Sequence, residues 1–142
     1  MLRMFCWLVR TAWTLPTTLV GLILGVALTP LGVRWRVRRG TLECFGEPVR
    51  RWVLQPWWRP GGNEMGFMAI TLGDVILGVS GAALDAARDH EQVHVRQAHR
   101  WGPLFIPAYL AAGGWAWARG RRAYFDNPFE RQAYGESNPH DG

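Results

Sequence analysis

Two histidines four residues apart, with a glutamate between them, are the residues of this chain best suited to chemistry. His90, Glu91 and His94 form the pattern H-E-x-x-H. On a helix, both imidazoles project from one face about one turn apart, so they can reach a single ion. Glu91 is rotated by about 100° from His90 and can reach a water molecule on that ion. The pattern is typical of a Zn²⁺ site with an open coordination position.

A zinc ion held in this way supports hydrolysis. It lowers the pKa of a bound water from about 15.7 to near 7 and polarises a carbonyl, while a neighbouring glutamate transfers the proton to the leaving group. We therefore expect Glu91 to be the catalytic base of a hydrolase that cleaves a peptide or protein substrate. The alternative is a helix whose polar residues fall in this order by chance. Ala87, Ala98 and Trp101 make the same face otherwise apolar, which favours a metal site, because buried imidazoles need a partner.

The third protein ligand must come from another part of the chain. His99 lies nine positions after His90, about 900° of rotation, which puts it on the opposite side of the helix. The long metzincin pattern requires a glycine and a histidine where this chain has Gln97 and Arg100. Glu130 is a better candidate, because zinc with only two protein ligands would be anomalous.

Glu130 lies on a second predicted helix. Asn127 followed by a proline predicts the start of this helix, with the asparagine as N-cap. The small Ala133, one turn further on, would let the helix approach the histidine helix closely. The alternative role for Glu130 is that of a capping-box carboxylate. Tyr124 and Tyr134 are candidates to donate to an oxyanion, with aromatic packing as the alternative.

The two segments together resemble a known family. Residues 90–94, followed by Glu-Arg-Gln-Ala at residues 130–133, resemble the minimal gluzincin metallopeptidases. Residues 66–137 are also similar, in order, to small bacterial membrane proteins that carry this helix pair. The resemblance implies that His90, His94 and Glu130 bind zinc and that Glu91 is catalytic. The chain is much shorter than a secreted two-lobed protease.

Composition describes one apolar, basic domain. The chain has 142 residues, of which 49% are hydrophobic and 19% charged, with nine tryptophans. This excludes a disordered or multidomain protein. All 16 basic residues are arginines and the formal net charge is +5, which favours anionic partners. Two cysteines, Cys6 and Cys44, are too few for a disulfide framework.

Residues 11–33 carry no charge and, as a helix, are about long enough to cross a hydrocarbon core of ~30 Å. Arginines are more numerous after this run than before it, which predicts that the C-terminal part faces the cytoplasm. We therefore predict a membrane anchor over residues 1–35, crossing a bacterial inner membrane once, and a zincin-like metal-binding domain over residues 36–142. A cleaved signal peptide and an apolar core helix are the alternatives.

Partners follow from the same residues. Gly21 and Gly25 form a G-x-x-x-G spacing, which suggests a homodimer through this helix. Arginines and tryptophans are interleaved further along the chain, at Arg50, Arg51, Trp52, Trp57, Trp58 and Arg59. Such residues can stack on bases, but beside an apolar span they are more typical of contact with lipid headgroups. No nucleic-acid-binding module accompanies them, so we expect a lipid bilayer and no nucleic acid as partner.

The remaining elements indicate an α+β fold. Alternating residues predict one hairpin over residues 33–46 and a second that turns at Gly73-Asp74. Residues 47–63, rich in proline and glycine, predict a loop. The histidine helix should run from about residue 81 to 101, and residues 103–118 predict a buried or interfacial segment. The expected fold is a membrane helix, two β-hairpins and a three-helix unit. A non-catalytic membrane protein with a structural zinc site is the alternative function.

Overall fold

The computed structural model describes residues 2–54 and 68–137 and has an α+β fold, as predicted. A four-stranded sheet lies between helices. The elements in chain order are α1 (Leu2–Leu28), β1 (Arg34–Arg38), β2 (Thr41–Phe45), the single turn α2 (Glu47–Val49), β3 (Ala69–Leu72), β4 (Val75–Gly78), α3 (Gly81–Trp101), α4 (Phe105–Ala118) and α5 (Pro128–Ser137).

The predicted loop over residues 47–63 is wrong in its first half. Residues 47–54 form α2 and a following π-helical turn, Arg50–Leu54. Pro48 lies in the first turn of α2, where its missing N–H is not needed by the helix. Residues 55–63 lie outside the described residues.

Two antiparallel hairpins meet in a parallel pair at the centre of the sheet. The strand order is β1-β2-β4-β3, with β2 parallel to β4. Arg39 and Gly40 join β1 to β2 with positive φ angles of 49° and 78°, as a turn that matches the twist of the strands requires. Gly73 and Asp74 join β3 to β4. Both predicted hairpins are confirmed.

Helices cover both faces of the sheet, which makes β4 the centre of the core. Val75 and Leu77 belong to the apolar cluster on the α1 side, together with Leu28 at the end of that helix. Ile76, between them, points the other way and packs against Leu84 of α3. The period of two along a strand therefore distributes alternate side chains between α1 and α3.

A buried carboxylate fixes α3 on the first hairpin. Glu43 on β2 is 1% exposed and lies 2.5 Å from Arg36 Nε and 3.4 Å from Arg88 of α3. Arg36 also pairs with Asp85, on the first turns of α3. Arg36 of β1 and Arg88 of α3 therefore form a charge network around Glu43, and losing one partner would leave Glu43 buried and underpaired.

The inner face of α1 consists of small and hydroxyl-bearing residues. Thr14, Thr17, Gly21 and Gly25 are buried, and they recur every three or four positions. A Cβ at Gly21 would lie 2.8 Å from Val75 Cβ. A Cβ at Gly25 would overlap the indole of Trp35. The glycine pair therefore serves close packing on the chain's own sheet, while the homodimer suggested by the spacing stays a prediction.

The outer face of α1 is apolar and exposed. Leu15, Leu19, Ile23 and Val26 have exposed fractions of 46%, 45%, 66% and 62%. The segment Leu8–Leu31 is long and apolar enough to cross a membrane, and only 28% of its most apolar window is buried inside the protein. Large apolar side chains thus point outward and small ones inward, the reverse of a helix in a water-soluble core.

One aspartate ties α1 to the sheet and to α3. Asp74, in the turn after β3, accepts a hydrogen bond from Thr14 Oγ1 at 2.9 Å and one from His99 Nε2 at 2.5 Å. Arg10 donates to the other ring nitrogen of His99 at 2.5 Å. The hydrogen bond from His99 lowers the pKa of Asp74, and the Thr14 hydroxyl acts in the same direction.

Replacing Gly21 by alanine should loosen α1 from the sheet. The added methyl group meets Val75, so we expect a loss of about 1–3 kcal/mol in the free energy of unfolding, which denaturant titration in mild detergent would measure. The matched control is Gly114→Ala on α4, where a Cβ meets nothing within 4 Å. That change should stabilise by about 0.5–1 kcal/mol. Equal effects of the two changes would contradict the close contact.

The stabilisation by Asp74 should depend on pH. Because its folded-state pKa lies below the ordinary value of 3.8, the ionised form stabilises the fold above that value, and the effect is lost as pH falls through the folded pKa. We expect Asp74→Asn to cost about 1.5–3 kcal/mol at pH 7. The gap between the two proteins should narrow below pH 4. An unchanged gap down to the acid transition would show that the carboxylate charge is not what stabilises this turn.

Candidate metal centre

The helix that carries the histidines is well defined at both ends. Ser80 caps α3 by accepting a hydrogen bond from the backbone N–H of Ala83 at 3.1 Å. At the other end, Gly102 has a φ of 57° and lies against the indole of Trp13. A side chain at this position would be strained and would also collide with α1. The end of α3 is thus set by contact with the first helix.

The three predicted ligands converge between α3 and α5. The Nε2 atoms of His90 and His94 are 3.1 Å apart. His90 Nε2 lies 3.1 Å from Glu130 Oε2, and His94 Nε2 lies 3.3 Å from Glu130 Oε1. Ligands about 2.0–2.1 Å from a tetrahedral zinc ion would be about 3.3–3.4 Å from one another. The two histidines approach different oxygens of Glu130. With one ligand atom taken from each of the three side chains, the atoms lie within 4.8 Å of one another and could hold a metal ion.

Unpaired atoms at this point fit a cation. Glu130 is 2% exposed, and its Oε2 accepts no hydrogen bond from the described residues, although His90 Nε2 is 3.1 Å away. Buried oxygen atoms without a partner are rare in folded proteins. Lone pairs of two imidazoles and a carboxylate that point at one place repel each other unless a positive charge lies between them. The donor set thus agrees with a metal such as zinc.

Gln97 determines which nitrogen of His94 faces the site. The Gln97 amide nitrogen donates to the Phe129 carbonyl at 3.0 Å, so its carbonyl oxygen must be the atom 2.8 Å from His94 Nδ1. That nitrogen therefore carries a proton, so in the neutral imidazole Nε2 presents its lone pair to the other ligands. Such an outer hydrogen bond orients a metal-binding histidine. Gln97 entered the sequence analysis only as a mismatch to the metzincin pattern.

A tyrosine of α4 holds the carboxylate ligand. Tyr109 donates to Glu130 Oε1 at 2.5 Å, and its own carbonyl accepts a hydrogen bond from Asn127 Nδ2 at 3.0 Å. Tyr109 was not predicted as a site residue, although it carries the only side-chain hydroxyl of α4. Asn127 Oδ1 accepts from the Phe129 N–H at 3.0 Å, as expected of an N-cap. The Asn127 N–H bonds to the Tyr124 carbonyl, so Glu130 does not form the capping box.

The surroundings keep Glu130 ionised. Burial alone would raise the pKa of this carboxyl group, but His90 and His94 outweigh it and lower the pKa to about 2. For His94, burial acts to lower the pKa, and the neighbouring carboxylates of Glu130 and Glu91 raise it overall. Burial and the charge of Glu130 both raise the pKa of Tyr109. Glu130 is therefore an anion next to a neutral phenol, as a metal ligand with a hydrogen-bond donor should be.

Glu91 follows the ligand His90 on α3, and its carboxylate is held in place by a hydrogen bond from the sheet. It is 6% exposed, and its Oε2 accepts a hydrogen bond from Thr71 of β3 at 2.6 Å. The carboxylate acts electrostatically on His94 and Tyr109. Sequence analysis did not single out Thr71, because nothing in the spacing of β3 and α3 reveals which strand residue meets the helix.

The other candidate residues have separate roles. His99 pairs with Asp74, away from the metal ligands, as predicted. The Tyr134 ring lies 4.5 Å from the His90 ring, centroid to centroid, and its hydroxyl is 3.4 Å from that of Tyr124. Both tyrosines therefore pack beside the site, and donation to an oxyanion stays a prediction. Ala133, fully buried, allows α5 to approach α3 closely.

Part of the proposed arginine–tryptophan patch lies in the described residues. The guanidinium of Arg51 lies 5.7 Å from the ring centre of Trp52, and Arg50 pairs with Glu47 on the preceding turn. The other members of the patch, Trp57, Trp58 and Arg59, lie outside the described residues.

Comparisons of this chain with known proteins identified no related protein. Neither the protein-family models, nor the curated proteins, nor the solved structures give a match to this chain. The resemblance to gluzincins therefore rests on the motif residues alone.

Replacing Gln97 by leucine should weaken metal binding without removing a ligand. Loss of an outer hydrogen bond to a metal-binding histidine typically lowers affinity about 10–100-fold. Competition with a chromophoric chelator would measure this, with His90→Ala as the reference for complete loss. The control is Gln92→Leu on the same helix, whose amide bonds to Thr41 instead. Equal zinc affinity of Gln97→Leu and Gln92→Leu would contradict the role of Gln97.

Proposed function

We propose that this protein is a zinc-dependent hydrolase of the gluzincin type that cleaves peptide bonds. The observation that carries the proposal is a buried carboxylate next to, but outside, a set of three ligands. His90, His94 and Glu130 would hold the ion and leave its fourth position for a water or a substrate. Glu91 remains as a base that is not used for binding the metal.

In the proposed hydrolysis, Glu91 transfers the proton and Thr71 orients the Glu91 carboxylate. Zinc, when bound, supplies a Lewis acid that polarises the carbonyl of the scissile bond. Glu91 takes the proton of the attacking water and returns it to the leaving nitrogen. The Thr71 hydroxyl is bonded to Oε2 of Glu91, so the proton is taken by Oε1. Thr71 thereby fixes the carboxylate in one orientation.

We place the protein at a membrane, with the bacterial inner membrane as the proposed location and the C-terminal part in the cytoplasm. The long apolar helix α1 supports this, because most of its apolar surface is not covered by the rest of the chain. A water-soluble protein rarely exposes so large an apolar patch. The substrate would then be a polypeptide at or near the bilayer.

A non-catalytic role with a structural zinc ion is the second candidate. It is favoured by the depth of the site, since His94 and Glu130 are 6% and 2% exposed. An ion there would tie α3 to α5, and its stabilisation of the fold would be its whole purpose. The two candidates differ in what Glu91 does.

The substitution Glu91→Gln distinguishes the hydrolase from the protein with a structural zinc ion. The change keeps the shape of the side chain and removes the base, so zinc content should stay at one ion per chain while hydrolysis falls about 10²–10⁴-fold. Zinc would be measured by elemental analysis of the detergent-purified full chain, and hydrolysis with a broad peptide library. Glu136→Gln, a partly exposed carboxylate on α5, is the control.

Three outcomes have different meanings. A large loss in Glu91→Gln alone supports the hydrolase. Stoichiometric zinc with equal rates in the wild type and Glu91→Gln would favour the structural site. A wild type that binds no zinc would overturn both candidates.

A further inference from the structure

Many of the exposed large apolar side chains of this protein lie on two helices, α1 and α4. On α1 they include Leu15, Leu19 and Ile23, and on α4 they include Leu110, Trp115 and Trp117, which are 62%, 63% and 73% exposed. We refer to these six residues as the outer face. The interfacial alternative predicted for residues 103–118 fits this exposure better than a buried segment does.

The two helices that carry the outer face come together at the end of α3. Gly102, which leads from α3 to α4, packs against the indole of Trp13 on α1. Trp13 and Trp101 at this junction are 46% and 43% exposed. The start of α4 is therefore joined to α1 at a place where two tryptophans are partly exposed.

A crossing of the membrane by α1 conflicts with its packing. Buried positions of α1 run from Thr14 to Leu28, so the sheet lies along most of the apolar segment. The same sheet ends at β1, which is an edge strand among the described residues and carries the exposed Arg34 and Arg38. Open sheet edges and unpaired arginines do not lie in hydrocarbon. If α1 crossed the bilayer, it would have to leave the sheet.

We infer that α1 lies in the plane of the membrane surface together with α4, with the outer face in the lipid and the sheet on the aqueous side. A helix in this position sinks about 5–10 Å into the boundary of headgroups and acyl chains. The inference rests on the proposed membrane attachment and states how that attachment is made.

Charge identifies an anionic bilayer as the occupant of this face. Arg119, Arg121 and Arg122 follow directly on α4 and are exposed. The guanidinium of Arg119 lies 4.5 Å from the ring centre of Trp115. Tryptophan beside arginine at the edge of an apolar face is the arrangement expected at the level of lipid headgroups.

The attachment would bring the metal centre close to the lipid. Tyr109 lies on α4 and donates to Glu130. One helix therefore contacts the bilayer with its outer residues and a metal ligand with its inner tyrosine. Substrates would reach the site along the membrane surface.

The first test counts labels on each molecule. Cysteines replace Arg3 and Arg38, on either side of the apolar segment of α1, in a full chain with Cys6→Ser and Cys44→Ala. The protein is reconstituted into sealed vesicles of phosphatidylcholine and phosphatidylglycerol and treated with a membrane-impermeant maleimide. If α1 lies in the plane, both cysteines are on the same side, and mass spectrometry finds two labels or none. Molecules with one label would overturn the inference. In detergent, both sites should react.

The second test asks whether α4 contacts lipid. In the cysteine-free chain, Leu110→Cys carries a polarity-sensitive fluorophore, and Arg131→Cys on the exposed part of α5 is the matched control. With the same vesicles, emission at position 110 should shift to the blue and resist an aqueous quencher, while position 131 should do neither. Equal quenching at the two positions would overturn the role of α4.

Two further results would contradict the membrane attachment itself or the choice of lipid as the occupant of the outer face. If the wild-type chain does not float with the vesicles in a density gradient, the proposed membrane attachment itself is wrong. Protection of position 110 that rises with protein concentration and does not need lipid would give the face to a second copy of the chain. Metal content and hydrolysis are measured separately in each case, so the proposed chemistry is tested independently of the attachment.

Discussion

Three electron-pair donors between α3 and α5 repel one another unless a proton or a metal ion lies among them, and polar groups from other segments hold them in place. The Nε2 atoms of His90 and His94 lie 3.1 Å apart, and each is 3.1–3.3 Å from a different carboxylate oxygen of the buried Glu130. Gln97 sets the tautomer of His94, and Tyr109 holds one oxygen of Glu130. Each of these outer groups comes from a segment that the fold must bring in separately.

The same fold gives two glutamates different tasks. Glu130 is bonded to a phenol and faces two imidazoles, which keep it ionised and aimed at the ligand atoms. Glu91 follows His90 directly, yet its carboxylate accepts a hydrogen bond from Thr71 on β3. The sheet therefore takes the second carboxylate out of the ligand set. The proposed base and the candidate ligand are the same type of residue and differ here only in their neighbours.

The long first helix is a layer of this fold as well as an apolar surface. Its inner face needs glycines and threonines, because the sheet comes so close that Gly21 has no room for a methyl group next to Val75. Its outer face carries the large apolar side chains. Asp74 joins the helix, the sheet and α3 through hydrogen bonds. The apolar outer surface of α1 and the candidate metal centre are thereby parts of one packed unit.

Sequence by itself determined what depends on short separations. The one-turn spacing of His90 and His94, the N-cap at Asn127 and the turn at Gly73-Asp74 follow from local geometry, and all are present. Only the tertiary structure decided that Thr71 meets Glu91, since such a contact depends on how a strand and a helix are stacked. It also decided which side of α1 faces the sheet. Composition makes a helix apolar, but packing selects the face that is covered.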